Sequence, residues 1–274
     1  HLHKIQDRFG HISSSHIVAL ASEMKLATAE VFEVATFYHH FDVIKEGEST
    51  PPALTIRVCD SLSCELAGAQ QLISELKSAL GPKVRVKSAP CVGRCEQAPV
   101  AVVGQNPVPH AKVKEVQSAV AANATRCAVS AYPEYEEYCE HGGYQLLRDC
   151  VNGNHEADSV IKIMEDSGLR GLGGAGFPAG RKWRIVKGEP APRLMAVNID
   201  EGEPGTFKDR YFLEQDPHRF LEGMLVATWA VEIHEIYIYL RDEYAGCREI
   251  LTKEPASLTA NPPCQLPKMH LRRG

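Results

Sequence analysis

Val58-Cys59-Asp60-Ser61-Leu62-Ser63-Cys64 and Ala89-Pro90-Cys91-Val92-Gly93-Arg94-Cys95 are the two stretches that decide the fold of the first half of this 274-residue chain. Each carries a pair of cysteines on a short loop. Two ligands on one short loop lose little additional entropy when both bind the same centre, so two such pairs form a chelating set for a metal or a cluster. The flanking sequence gives the set its scaffold. Leu54-Thr55-Ile56-Arg57-Val58 is a β-branched run that reads as a strand ending at Cys59. Ala69, Leu72, Ile73, Leu76 and Leu80 are spaced for one face of a helix that Gly81 and Pro82 end. Val84 to Ser88 reads as a second strand, Pro99 to Val103 as a third, and Ala111 to Val120 as a closing helix. Strand, helix, strand, strand, helix is the order of a small α/β layer. If the first two strands run parallel, all four cysteines reach the same end of the sheet, and Cys64 sits near a helix N-terminus that favours thiolate.

The rest of the chain is read outward from this block. Residues 1–50 are a helical lead-in, with Ile17, Leu20, Ala21 and Met24 and then Val31, Phe32 and Ala35 at helical spacing, closed by the proline-rich joint before Ala53. The small domain occupies 51–125. A polar, tyrosine-rich passage over 126–155 reads as a linker that packs on its neighbours. From 156 to 274, helical and β-branched segments alternate: Ser159 to Gly168, Arg193 to Asn198, Asp216 to Ile233 and Glu235 to Leu240. That alternation makes a second α/β domain with parallel pairing.

Composition bounds the function. A formal net charge of −5 with both signs interspersed leaves no basic stripe for nucleic acid. The longest apolar run, around Gly223 to Ile233, contains Glu232 and is far short of the roughly 20 residues that span a bilayer. No signal peptide is visible, so a cytoplasmic protein is expected. Nine cysteines, an odd number with irregular spacing, fit a reducing compartment better than a disulfide framework. Cys127, Cys139, Cys150, Cys247 and Cys264 stand singly and read as packed or surface thiols.

For the four paired cysteines, zinc and iron-sulfur compete. Zinc prefers knuckles commonly spaced two apart, whereas an iron-sulfur core tolerates wider loops. The intervals of four and three residues here favour iron. In the second half, Gly171, Gly173 and Gly176 satisfy G-x-G-x-x-G, but a helix rather than a strand precedes them, which argues against a Rossmann site. What remains is a loop that a flat ring or a phosphate can approach closely, with Lys182 behind it, or else a glycine turn beside a solvated lysine. Asn198-Ile199-Asp200-Glu201-Gly202-Glu203-Pro204-Gly205 follows a strand, where α/β folds place ligand contacts. Its carboxylates suit hydroxyls and heterocyclic N–H groups rather than phosphate, the alternative being an acidic surface turn.

The C-x4-C and C-x3-C pairs, together with a helical lead-in that carries Glu33-Val34-Ala35-Thr36-Phe37-Tyr38-His39-His40-Phe41, resemble the thioredoxin-like 2Fe-2S subunit of NADH dehydrogenases over residues 1–125. The glycine-rich run from Gly168 to Trp183, followed by Asn198 to Arg210, resembles the FMN and NADH site of the flavoprotein subunit of respiratory NADH dehydrogenase and its relatives in NAD-dependent formate dehydrogenases and NAD-reducing hydrogenases. The resemblance implies an α/β chain: a thioredoxin-like 2Fe-2S ferredoxin domain, then the N-terminal part of an α/β FMN/NADH-binding domain. It implies that Cys59, Cys64, Cys91 and Cys95 hold a 2Fe-2S cluster. Gly171, Gly173, Gly174 and Lys182 would line FMN, with Asn198, Asp200 and Glu201 on its polar side. Ala175, Phe177 and Glu203 would face the nicotinamide of NAD, Glu203 as a positioning group in the catalytic step. Leu172 departs from the respiratory subunits, which carry arginine there. The wording around both motifs is closer to the β subunit of molybdenum or tungsten formate dehydrogenases, which implies a molybdenum- or tungsten-containing catalytic subunit as partner, with hydrogenase or complex I subunits as the alternative. In the family, the sequence after His270-Leu271-Arg272-Arg273-Gly274 completes the flavin pocket and later supplies a 4Fe-4S cluster. The expectation is therefore that this chain assembles the 2Fe-2S cluster, holds FMN poorly and is inactive in isolation.

Overall fold

The computed structural model describes every residue except Gly173. The chain divides into two compact units, the first made of His1–Cys127 with Gly202–Thr206, the second of Ala128–Glu201 with Phe207–Gly274.

In the first unit the lead-in is α1 (Leu2–Phe9), β1 (Ile12–Ser13), α2 (Ser14–Met24), α3 (Thr28–Phe37) and β2 (Val43–Ile44). Ser13 begins α2 by accepting from the His16 N–H, and Ile12, Ile17, Ala21, Val31, Ala35 and Phe41 form its small core. The sheet follows as β3 (Leu54–Cys59), α4 (Leu62–Leu66), α5 (Ala69–Leu80), β4 (Val84–Ala89), β5 (Ala101–Val103), β6 (Asn106–Val108) and α6 (Val113–Ala121), in strand order β4-β3-β5-β6. β3 and β4 are parallel, from Leu54 opposite Val84 to Cys59 opposite Ala89, while β5 runs antiparallel to β3 and β6 to β5. The period of two sends Ile56 and Val58 into the core with Leu72, Ile73, Leu76 and Val116 of the helices. Arg57, Arg85 and Lys87 all gather on Asp42, whose carboxylate lies 2.5 Å from Arg85, 3.4 Å from Lys87 and 3.7 Å from Arg57. One nearly buried carboxylate thus ties the lead-in to the sheet.

The second unit begins with α7 (Tyr135–Glu140) and α8 (Gln145–Val151). They form because the tyrosine-rich passage has a place to bury its rings: Tyr135, Tyr144, Leu147 and Cys150 are all in the core of this unit. Then come α9 (Ala157–Asp166), α10 (Ala179–Lys187), β7 (Arg193–Ile199), α11 (Lys208–Gln215), α12 (Pro217–Val231), β8 (Ile233–Leu240), α13 (Ala245–Ala260) and β9 (Lys268–Arg273). The strands form an all-parallel sheet in the order β7-β8-β9. Gly180 is required by packing, because a Cβ there would lie 2.3 Å from the backbone nitrogen of Glu165 on α9. Among the described residues, no helix is long and apolar enough to cross a membrane.

A buried polar network fastens α7 and α8 to the rest of this unit. Glu222 on α12 accepts from the Tyr138 hydroxyl at 2.7 Å and from the N–H groups of Tyr144 and Leu147. His218, fully buried, bonds Tyr144 through Nδ1 and the Glu254 carboxylate through Nε2, both at 2.9 Å. A carboxylate can only accept, so Nε2 carries the proton of the neutral ring and the Tyr144 hydroxyl donates to Nδ1. Tyr132 donates to the other oxygen of Glu254, Lys253 lies 3.4 Å from it, and Tyr135 and Tyr138 pack on the imidazole. Burial holds the His218 imidazole below its ordinary 6.5, outweighing the opposite pull of Glu254 and Asp216. The folded state therefore takes up this proton less readily than the unfolded chain. The effect on stability is absent above about pH 7, where both states are neutral, and becomes an increasing loss as pH falls through 6.5 and below. Urea midpoints measured from pH 7.5 down to 5 should fall in the wild type and fall less steeply in His218→Gln, which keeps a donor and an acceptor at the site.

Candidate functional site

The parallel pairing of β3 with β4 puts the two cysteine loops side by side. Asp60 N–H donates to Ala89 O at 2.9 Å just beyond the paired ends, and Cys59 N–H donates to Val100 O at 3.0 Å where the second loop returns into β5. Cys91 and Cys95 sulfurs stand 3.4 Å apart, and Cys59 is in thiol contact with both Cys64 and Cys91. All four sulfurs therefore meet at one end of the sheet, with Cys64 in the first turn of α4. Cys59, Cys64 and Cys91 are buried, and Cys95 is partly exposed.

The electrostatics are those of thiols too close to ionise independently. Contact with Cys64 raises the Cys59 thiol, contact with Cys59 raises Cys91, and burial raises Cys95. Cys64 alone is lowered, chiefly by its hydrogen bond with Cys59. Four sulfurs at this spacing resist four negative charges unless a cationic centre lies among them, which is the chemistry of an iron-sulfur or metal set. Backbone donors favour that state: Ser61 N–H serves Cys59, Val100 serves Cys64, and Gly93 serves Cys91 at 3.4 Å. Gly205 N–H donates to Cys95 at 3.1 Å. Glu203, exposed, lies on the same 202–206 segment.

In the second unit the glycine-rich loop connects α9 to α10. Gly171 N–H donates to Phe177 O at 2.9 Å and Ala179 N–H to Leu169 O at 2.8 Å, so the loop is pinched at its base, with Gly171, Gly174, Ala175 and Phe177 exposed above it. Gly174 adopts φ +99°, a left-handed conformation that favours glycine. Gly173 lies outside the described residues. Lys182 on α10 and Asn198 on β7 both line a cavity of about 650 Å³, with Trp183, Arg219, Phe220 and Met224. A neighbouring cavity of about 500 Å³ shares Asn198, Arg219 and Phe220. The volume and the mixture of aromatic walls with a few polar groups fit a flavin-sized ligand. Sequence spacing does not single out Trp183, Arg219 and Phe220, because helical residues facing a cavity recur with the same period as residues facing a core.

The acidic segment divides its labour. Asn198 Oδ1 accepts from the Asp200 N–H at 2.9 Å, an Asx turn that leaves Asp200 exposed at the carboxyl end of the sheet. Glu201 turns inward and is 5% exposed. Its carboxylate accepts from the Asp209 N–H at 3.1 Å, from the Arg210 N–H at the start of α11, and from the Tyr244 hydroxyl at 3.0 Å. Lys208 stands 3.5 Å away, and Arg241 donates to the Glu201 carbonyl. Glu201 is thus a buried anion at a helix N-terminus.

Comparison with known proteins accords with both halves. Residues 1–124 match the thioredoxin-like 2Fe-2S ferredoxin family, and residues 164–272 match the Nuo51 FMN-binding domain. An NADH-quinone oxidoreductase component of Aquifex aeolicus is 47% identical over 116 residues, 42% of this chain and 27% of that protein. The alpha subunit of the NAD-reducing hydrogenase HoxS of Cupriavidus necator is 27% identical over 290 residues, 91% of this chain and 46% of that one. The crystal structure of an NAD+-reducing NiFe-hydrogenase in the H2-reduced state has the same fold, with a TM-score of 0.75 over 100% of this chain and 51% of that chain at 24% identity. The chain thus spans about half the length of these relatives or less. It carries a thioredoxin-like 2Fe-2S ferredoxin domain followed by an FMN-binding domain, with a 2Fe-2S cluster and FMN as the corresponding cofactors.

Because Glu201 satisfies the first N–H groups of α11 and a buried tyrosine, Glu201→Ala should lower stability by about 1–3 kcal/mol, the penalty for leaving buried partners unmet. Urea denaturation checks this, and Glu201→Gln, which still accepts from Tyr244, should recover part of the loss.

Proposed function

We propose that this chain is the electron-transfer diaphorase portion of an NAD-dependent oxidoreductase, passing electrons between NAD(H), FMN and iron-sulfur clusters. The supporting observation is the convergence of Cys59, Cys64, Cys91 and Cys95 at one sheet end, each sulfur with its own backbone donor. Bound FMN supplies the conversion between two-electron hydride chemistry and one-electron carriers.

The chain's own residues bind and orient. The four cysteines hold the 2Fe-2S cluster. Gly171, Gly173 and Gly174 carry no side chains, so the flavin can approach the backbone, and Lys182 and Asn198 contribute a charge and an amide at the wall of the 650 Å³ cavity. Asp200 presents an exposed carboxylate to the polar side. Glu201, engaged at the start of α11, acts as a positioning residue that fixes the turn leading away from Asp200. Ala175, Phe177 and exposed Glu203 orient the nicotinamide, and hydride transfer asks no proton of Glu203.

The test of the cluster is direct: anaerobically purified chain should contain two irons, absorb in the visible and give a 2Fe-2S electron paramagnetic resonance signal on reduction. Cys91→Ser should lose that signal. Zinc in place of iron in the wild type would overturn the proposal.

For the electron partner, we propose a molybdenum- or tungsten-containing formate dehydrogenase subunit, supported by the wording Gly171 to Trp183 and Leu194 to Arg210. The second reading is an NAD-reducing hydrogenase, favoured by an alignment with the HoxS alpha subunit that runs through 91% of this chain. Metal analysis of the complex isolated from its host separates them. Molybdenum or tungsten with formate-dependent NAD reduction is expected, whereas nickel with hydrogen-dependent reduction selects the alternative.

A further inference from the structure

Glu203-Pro204-Gly205-Thr206 is a closed turn. Thr206 N–H donates to Glu203 O at 3.1 Å and the Thr206 hydroxyl donates to the same oxygen at 2.6 Å. Gly205 has φ +86°, the value required at the third position of a type II turn, and proline is favoured at the second. A Cβ on Gly205 would meet nothing within 4 Å, so the glycine supplies a backbone conformation and not clearance. The turn's own hydrogen bonds use Glu203 O and Thr206, which leaves the Gly205 N–H to point outward, and it ends 3.1 Å from Cys95 Sγ.

This donor differs from the other three. Ser61, Gly93 and Val100 belong to the cysteine loops or the strand that follows them, so any fold that makes the loops makes these bonds. Gly205 is 110 residues from Cys95 in the chain, and Cys95 is the most exposed of the four. A hydrogen bond to a ligating sulfur stabilises the more negative, reduced cluster and raises its potential.

We infer that the Glu203–Thr206 turn is a tuning element for the iron-sulfur centre: its Gly205 N–H holds the reduction potential above the value that the cysteine loops alone would set. The inference rests on the cluster assignment proposed above. It adds a residue outside the ligand loops whose role is to position a donor.

Redox titration of the intact protein, followed by electron paramagnetic resonance and visible absorption, tests it. Gly205→Pro deletes the N–H and, because proline holds φ at about −65°, also opens the turn that aims it; with iron content retained its midpoint should shift to a more negative potential. Gly205→Asn tolerates the left-handed backbone and keeps the donor, so its midpoint should stay near the wild type. A proline variant with full iron and an unshifted midpoint overturns the inference while leaving the cluster assignment standing. A wild-type chain without any 2Fe-2S signal overturns the assignment itself. Should the proline variant lose its iron, pulsed electron paramagnetic resonance of the reduced wild type labelled with 15N-glycine decides the matter. Two coupled glycine nitrogens, from Gly93 and Gly205, are expected, and one alone overturns the inference.

Discussion

The in-register parallel pairing of β3 with β4 is the constraint on which the first unit depends. Cysteines on two loops separated by a helix and a strand have no reason to meet unless something aligns the segments that carry them. Here Cys59 pairs with Ala89, the last residue of β4 before Pro90 and Cys91, so both loops leave the sheet at the same end. A slip by one residue would exchange the faces of the side chains, placing Arg57 where Val58 packs, and the hydrophobic alternation forbids it. The antiparallel return of β5 then brings Val100 alongside Cys59 and supplies the N–H that serves Cys64. One hydrogen-bond ladder thus builds both the scaffold and one of the four sulfur donors.

Charge is handled in the same way elsewhere. The sheet face opposite α5 and α6 carries Arg57, Arg85 and Lys87, which would repel one another, and Asp42 from the lead-in lies among all three. In the second unit, Glu201 is placed at the first N–H groups of α11, and Glu222 at the first N–H groups of α8. Each of these buried or half-buried carboxylates is met by several donors, which is the condition for a charge to be withdrawn from water. These anions fix the geometry of neighbouring elements, whereas Asp200 and Glu203, on either side of Glu201 in the same segment, stay exposed.

The acidic segment also shows how a motif can carry two functions in consecutive residues. Asn198 closes an Asx turn and lines both cavities, while Glu201, three residues on, faces the other way into the protein. The alternation follows from the strand: Asn198 and Asp200 lie on one side of the chain as it leaves β7, and Ile199 and Glu201 on the other.

Local pattern alone specifies the elements and the cysteine set. The β-branched run to Cys59, the helical spacing from Ala69 to Leu80 and the strand from Val84 are short-range signals, and they recur in the structure as β3, α5 and β4. The glycines, Lys182 and Asn198 are legible as a candidate site because small and polar residues around a strand end stand out from core periodicity. Other features exist only in the assembled fold. That Glu201 faces inward, that Trp183, Arg219 and Phe220 line a cavity, and that Tyr135 and Tyr144 join a core all depend on which surface each element meets. The Gly205 bond to Cys95 is the clearest case, since a turn is specified by its four residues but the atom its outward N–H reaches is specified only by the chain packed around it.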